Sequence, residues 1–107
     1  MNEAIETCGG THADVAGALV LDVRRAPAYA AASTRLVGAP WRDPATVDTW
    51  ARDLPTDRHV VVYCVYGHEV SQSTATRLRA AGLNARYLIG GIEGWQAAGL
   101  VVEAIAR

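Results

Sequence analysis

The residues best suited to chemistry lie in one stretch, Val60-Val61-Val62-Tyr63-Cys64-Val65-Tyr66-Gly67-His68-Glu69-Val70-Ser71. A β-branched run leads into a cysteine, a short loop with one glycine follows, and a helix start comes directly after it. Continuous apolar runs of this length suit a strand covered on both faces, which predicts a strand over 60–63. Ser71 is the expected N-cap of a helix over 71–81, ended by Gly82. Cys64 then stands at the C-terminal edge of a parallel strand and at the mouth of a helix, where open α/β sheets place ligands and nucleophiles. Backbone N–H groups of a tight loop can form a nest, and a helix N-terminus adds partial positive charge. Both favour the thiolate, which is the nucleophilic form of cysteine. Free cysteine is also a common buried hydrophobe; the loop and helix that follow set the nucleophile reading level with that packing reading and leave both open.

The rest of the chain must position that cysteine. Leu19-Val20-Leu21-Asp22-Val23 reads as a second strand, apolar on both faces until Asp22. Arg24-Arg25 leave it, and 26–32 read as an alanine-rich helix with Pro27 in its first turn. Leu36-Val37 is a very short strand before the turn Gly38-Ala39-Pro40. An amphipathic helix is expected over 45–54, with Val47, Trp50 and Leu54 on its apolar side. In the helix after Cys64 the apolar stripe is Ala75, Leu78 and Ala81. A strand over 85–88, a Gly90-Gly91 turn and a helix over 92–98 complete the pattern. Strands alternating with helices at short intervals predict an α/β fold with a parallel sheet and helices on both faces. Residues 1–12 are weakly patterned, with Gly9-Gly10 as a break, and read as a loosely ordered arm.

At 107 residues the chain is long enough for one domain and its core. Its net charge is −1 and every basic residue is Arg, with no basic tract, which argues against nucleic acid as a partner. The apolar runs fall far below a membrane span. The start, Met1 to Glu6, has neither the positive region nor the apolar core of a secretory signal. Cys8 and Cys64 are too few for a disulfide framework. Cys8, beside two glycines, reads as an incidental exposed thiol. The expectation is a cytoplasmic protein in a reducing compartment.

Four segments together resemble the single-domain rhodanese family. Leu21-Asp22-Val23-Arg24 is similar to that family's Asp-Val-Arg signature after the first long strand. Gly38-Ala39 stands where its first turn ends. Cys64 to Val70 has the length of the six-residue rhodanese loop, with Gly67 at the matching place. Tyr87 to Trp95 carries the Gly-Gly-x-x-x-Trp pattern. The resemblance runs from residue 19 to about 103 and implies a three-layer sandwich, with a central, mostly parallel sheet flanked by helices. It further implies a sulfurtransferase. Cys64 would carry sulfur as a persulfide, taken from thiosulfate or a persulfide and passed to a thiol or cyanide, with no cofactor. A sulfur-carrier protein is a further partner of this kind. On that reading the loop residues Val65, Tyr66, Gly67, His68, Glu69 and Val70 surround the sulfur, and their N–H groups stabilise its charge. Gly67 lets the backbone turn inward.

Departures from the family pattern bear on specificity. Many members have Arg near the loop end, where this chain has His68, Glu69 and Val70. A carboxylate at Glu69 repels an anionic donor if it points into the mouth, but not if it faces solvent or pairs with an Arg. His68 either orients a donor and exchanges protons near neutral pH or is an exposed loop histidine. Asp22 and Arg24 read first as a scaffold, a strand end and an ion pair that pins the next helix. Their functional reading is positive potential from Arg24 near Cys64. Trp41, Trp50 and Trp95 read as packing residues, with Trp41 a substrate wall if it is exposed near the site.

Two rivals follow from the same residues. Cysteine phosphatases need Cys, five residues and an Arg to clamp phosphate; here that position is Val70, which disfavours the reaction. No Cys/His spacing matches a zinc site, so no metal is expected. The other rival is a non-enzymatic rhodanese-like regulatory, redox-sensing or protein-docking module. The cysteine itself argues against it.

Overall fold

In the computed structural model, which describes residues 9–107, the cysteine-bearing strand is the centre of a parallel sheet. This strand, β4 (His59–Tyr63), is flanked by β2 (Leu19–Asp22) on one side and β5 (Asn84–Leu88) on the other. Register places Leu19 beside Val60 and Asp22 beside Tyr63, while His59 pairs with Asn84 and Val62 with Tyr87. A two-residue strand, β1 (Gly9–Gly10), extends the sheet along β5, giving the order β1-β5-β4-β2. The glycine pair expected as a break in a loose arm is therefore a sheet edge. A Cβ on Gly9 would meet the tip of the exposed Ile89 side chain at 2.9 Å, a contact that side chain relieves by moving. Residues 10–12 likewise belong to the folded body, whereas Cys8 and the rest of the expected arm lie outside the described residues.

Alternation along the strands builds the two other layers. Val60 and Val62 join Leu21, Val23 and Ala85 on one face, under Ala75 and Leu78 of α3 (Glu69–Ala80) and Val47 of α2 (Val47–Trp50). Val61, Tyr63 and Leu88 face the other way, against Ile92 and Trp95 of α4 (Gly91–Ala97) and against Leu36 and Val102. Those last two belong to a small antiparallel pair, β3 (Thr34–Leu36) and β6 (Val102–Ala104). The fold is the expected α/β class, a central parallel sheet with helices on both faces. Strand β6 carried no local signal. It pairs with a segment 68 positions away, through an Arg35–Glu103 ion pair of 2.8 Å.

The helices depart from expectation at their ends. Helix α3 begins at Glu69 with His68 as N-cap, so Ser71 lies inside the first turn, fully buried, and is not the cap. An acidic first residue suits the helix dipole there. At the other end, the Leu83 N–H donates to Leu78 O and the Gly82 N–H to Arg79 O, both at 3.0 Å, with Gly82 at φ +90°. That paired pattern is the Schellman stop, and it leaves Ala81 exposed instead of in the apolar stripe. The helix expected over 45–54 is broken into α2 between two 3₁₀ turns, Pro44–Thr46 and Ala51–Asp53. Three β-branched residues in four positions, Thr46, Val47 and Thr49, weaken a regular helix. Val47, Trp50 and Leu54 still pack on the core as expected. The first helix, α1 (Ala26–Ala31), carries Pro27 in its first turn.

Tyr63 ties the layers together. Its ring is fully buried and its hydroxyl accepts the Leu36 N–H at 3.2 Å. Burial, and after it the Asp22 carboxylate, push its ionisation well above the ordinary 10.0. A folded-state value above the unfolded one means that this contribution to stability is full below about pH 10 and is lost as pH rises beyond it. Tyr63→Phe is expected to cost about 1–3 kcal/mol in neutral urea titrations by orphaning the Leu36 donor. It should also flatten the alkaline part of the stability–pH curve; an unchanged slope above pH 10 would refute the assignment.

Candidate active site

Cys64 follows β4 directly, at the C-terminal edge of the sheet, and is 6 % exposed. Its Sγ lies 3.1 Å from Ser71 Oγ. The loop from Cys64 to Val70 has an uneven hydrogen-bond account. Several of its carbonyls are engaged: Cys64 O accepts from Ile92 N–H, and Val65 O from Glu93 N–H, both at 3.0 Å. Gly67 O accepts from Gln72 Nε2 at 2.9 Å, and His68 O from Gln72 N–H at 3.1 Å. By contrast, no amide from Val65 to Val70 donates to a protein acceptor among the described residues. The amides of Glu69 and Val70 belong to the first turn of α3, whose N–H groups have no intrahelical partner by construction. Unspent donors beside engaged acceptors are an arrangement that suits an anion.

Two glycines allow that arrangement. Gly67 has φ +73°, and a Cβ there would sit 2.6 Å from Gly90 N and 2.7 Å from Leu88 O. Gly91 has φ +60°, and its Cβ would sit 2.5 Å from Cys64 O. The loop thus lies against the Gly90-Gly91 turn with no room for a side chain on either partner. Gly67 is buried and turned toward that turn, away from the open side of the loop.

A pocket of about 260 Å³ opens over the cysteine. Cys64, Val65, Tyr66, His68, Glu69 and Val70 form one wall, and Arg24, Arg25 and Ala28 the other. A larger cavity of about 430 Å³ adjoins it and shares Arg25, Glu69 and Val70, but it does not reach the cysteine, so the smaller one is the candidate site. Tyr66 is exposed at the rim and stacks on His68 with ring centroids 6.0 Å apart. Glu69 pairs with Arg25 at 3.2 Å across the mouth, both ends exposed. Such a pair contributes little to stability, yet it cancels the charge of the one exposed Arg lining the pocket.

Asp22 and Arg24 form a buried pair at 2.6 Å. Both Arg24 Nε and Nη2 donate to the Asp22 carboxylate, and Nη2 also donates to Thr34 O at 2.9 Å. Burial disfavours the Arg24 charge, but the Asp22 bonds outweigh it and leave the guanidinium more firmly protonated than usual. The partner of Arg24 is thus Asp22 itself, and its reach is to β3 and to the Tyr29 ring of α1, 5.8 Å away. Arg24 lines the pocket; Asp22, with no exposure, does not. Trp41 is absent from the pocket wall. It stacks on Tyr29 at 4.9 Å and donates to Arg24 O. Sequence reasoning missed Arg25, which no motif marks, and the Ser71 contact, hidden by a helix start set two residues late.

A parallel sheet that presents a buried cysteine in a donor-rich loop, braced by a Gly-Gly turn, defines a rhodanese-type domain. The Rhodanese-like domain model matches residues 9–98, and the chain belongs to that family. Over 81 residues it is 37% identical to the thiosulfate sulfurtransferase GlpE of Pseudomonas fluorescens (strain SBW25), a match covering 75% of this chain and 72% of that protein. A full-length protein from Lactobacillus plantarum superposes with a TM-score of 0.82 at 28% identity, covering 96% of this chain and 92% of that one. A rhodanese-related protein from Thermoplasma volcanium shares the fold, with a TM-score of 0.73 at 22% identity over 86% of this chain and 89% of its own. No helix among the described residues is long and apolar enough to cross a membrane.

Gly67→Ala tests the loop geometry. A positive φ costs an L-residue about 1–2 kcal/mol, and the neighbours it would strike are backbone atoms that cannot rotate away. The variant is expected to unfold at least that much more easily and to alkylate at Cys64 at a different rate. Wild-type stability and reactivity would show that the loop does not need the close approach.

Proposed function

We propose that this chain is a rhodanese-type sulfurtransferase that moves sulfane sulfur from thiosulfate or a persulfide to a thiol or cyanide through a persulfide on Cys64. The observation that carries the reading is the hydrogen-bond account of the loop: six successive amides, Val65 to Val70, with no protein acceptor among the described residues, beside a cysteine at the floor of a pocket. Family membership and the thiosulfate sulfurtransferase relative support it.

In the first half-reaction the Cys64 thiolate attacks the outer sulfur of thiosulfate. The S–S bond of the donor breaks, its electron pair leaves with sulfite, and the outer sulfur stays on Cys64. In the second, an acceptor thiolate attacks that sulfur and Cys64 leaves as a thiolate. Negative charge rests on Cys64 Sγ before loading and on the outer sulfur after it, two positions one bond apart. Backbone donors spread along the loop suit both positions without rearrangement. Gly67 permits the loop, His68 and Tyr66 form its rim, and Asp22 and Arg24 brace the strand end beneath it.

Intact mass after incubation with thiosulfate, and separately with a small persulfide, is the direct test. Wild type is expected to gain one sulfur, about 32 Da, and Cys64→Ser none. No gain with either donor would overturn the reading in favour of a binding or sensing module on the same scaffold.

Donor preference follows from the mouth. With Arg25 neutralised by Glu69, a dianionic donor meets no uncompensated side-chain cation there. Glu69→Gln releases the Arg25 charge and is expected to lower the KM for thiosulfate roughly two- to fivefold. The gain should shrink as salt is added. A KM that does not move would mean that the Arg25 charge does not reach the donor.

A further inference from the structure

We propose that the Ser71 hydroxyl is the hydrogen-bond donor to the Cys64 sulfur and, as a positioning residue, favours the release half of the sulfur transfer. The release step rests on the sulfur-carrier reading of Cys64 above. Ser71 has no exposure, and the partner of its hydroxyl is Cys64 Sγ at 3.1 Å. A buried serine or threonine in a helix ordinarily turns its hydroxyl back to the carbonyl four residues earlier. Two neighbours in α3 do so, Thr74 to Val70 O at 2.7 Å and Thr76 to Gln72 O at 3.0 Å. For Ser71 that carbonyl would be Gly67 O, which instead accepts from the Gln72 amide at 2.9 Å. Gln72 thus occupies the default acceptor, and the Ser71 hydroxyl is directed at the sulfur.

The consequence differs between the two halves of the cycle. A thiolate has only lone pairs to offer, so Ser71 must be the donor whenever Cys64 is ionised. In release, the outer sulfur of the Cys64 persulfide, anionic after loading, first takes one proton from water, and an acceptor thiolate then attacks it. A bond forms between the acceptor sulfur and the outer sulfur, and the bond from the outer sulfur to Sγ breaks. The electron pair goes to Cys64 Sγ, and the proton stays with the transferred sulfur, so the step needs no oxidant or reductant. Negative charge therefore develops on the atom that Ser71 touches, and a stabilised leaving thiolate leaves faster. In loading, the same bond stabilises the attacking thiolate in the ground state and confers no gain in rate. Ser71 thus biases the site toward giving sulfur away.

Ser71→Ala removes one oxygen and nothing else, and the test reads Cys64 in two ways. The first needs no sulfur transfer: the rate of iodoacetamide alkylation of Cys64 is followed against pH. Loss of a bond to a charged group is expected to move the midpoint up by about one to two pH units. The plateau above the midpoint should be no lower than in wild type, because a thiolate without its donor is the stronger nucleophile. The second is single-turnover transfer from pre-loaded protein to dithiothreitol, expected to slow roughly tenfold, while loading from thiosulfate above the midpoint is not slowed. An unmoved midpoint, or a rate lowered equally at every pH, would make Ser71 a packing residue and overturn the proposal. Failure of wild type to take up sulfur from any donor would instead defeat the sulfur-carrier reading, and the release step with it. The alkylation profile would still decide whether Ser71 bonds the thiolate.

Discussion

Two hydrogen bonds, Ile92 N–H to Cys64 O and Glu93 N–H to Val65 O, set the character of the whole loop. They belong to the first turn of α4, whose donors have no partners within the helix, and they satisfy those two carbonyls from outside. A carbonyl turned toward the sulfur would place partial negative charge against an anion; one held by α4 cannot turn. The contact is possible only because Gly67 and Gly91 meet without side chains. The donor-rich side of the loop is thus a consequence of how α4 packs on the second face of the sheet, with Ile92 buried beneath it. Helix α3, on the first face, contributes the remaining free amides. The loop is where the two layers meet over the end of β4.

Charge around the site follows the same economy. Arg24 is held by Asp22 and Arg25 by Glu69, so neither guanidinium stands uncompensated at the mouth. Burying an ion pair carries a desolvation cost that only good geometry offsets. Arg24 meets that condition with its bonds to both carboxylate oxygens and to Thr34 O. What the pair achieves is placement. Asp22 stands beside Tyr63 in the sheet, and its carboxylate also accepts the Arg24 N–H, fixing the turn where the chain leaves β2. On the proposed reading, the sulfur's charge would be met by backbone dipoles, which stay fixed when charge moves along a sulfur–sulfur bond.

Much of this was legible in the sequence, for reasons that also mark its limits. The strand at Val60 to Tyr63 announces itself because a strand buried on both faces is apolar at every position. The Gly-Gly turn and the cysteine loop were legible because close backbone approach leaves glycine as the signature. Elements defined by distant partners were not. Gly9-Gly10 looks like a break until β5 lies beside it, and Val102 to Ala104 is a strand only because β3 is there to pair with it. The helix start was misplaced for a different reason. Serine is a good N-cap by propensity, but a buried Ser71 bonded to sulfur leaves the cap to His68. Capping preference is a local signal, and here tertiary contact overrode it.

That misreading bears on the loop's departures from the family pattern it resembles. An anion site made of side chains is revised whenever a side chain changes; one made of amides is not, provided the backbone keeps its path. Replacing a loop arginine by His68, Glu69 or Val70 therefore leaves the donors of this loop in place and alters only what a substrate meets on the way in. Here the entry wall is an exposed tyrosine stacked on a histidine and a neutralised ion pair, in place of a free cation. On the proposed reading, stabilisation of the sulfur and selection of its donor would be carried by different atoms. The first would belong to the backbone and to Ser71, beneath the surface; the second would belong to Tyr66, His68 and Glu69, at the rim. Substitution at the rim can change which sulfur compound enters without touching the groups that hold its charge.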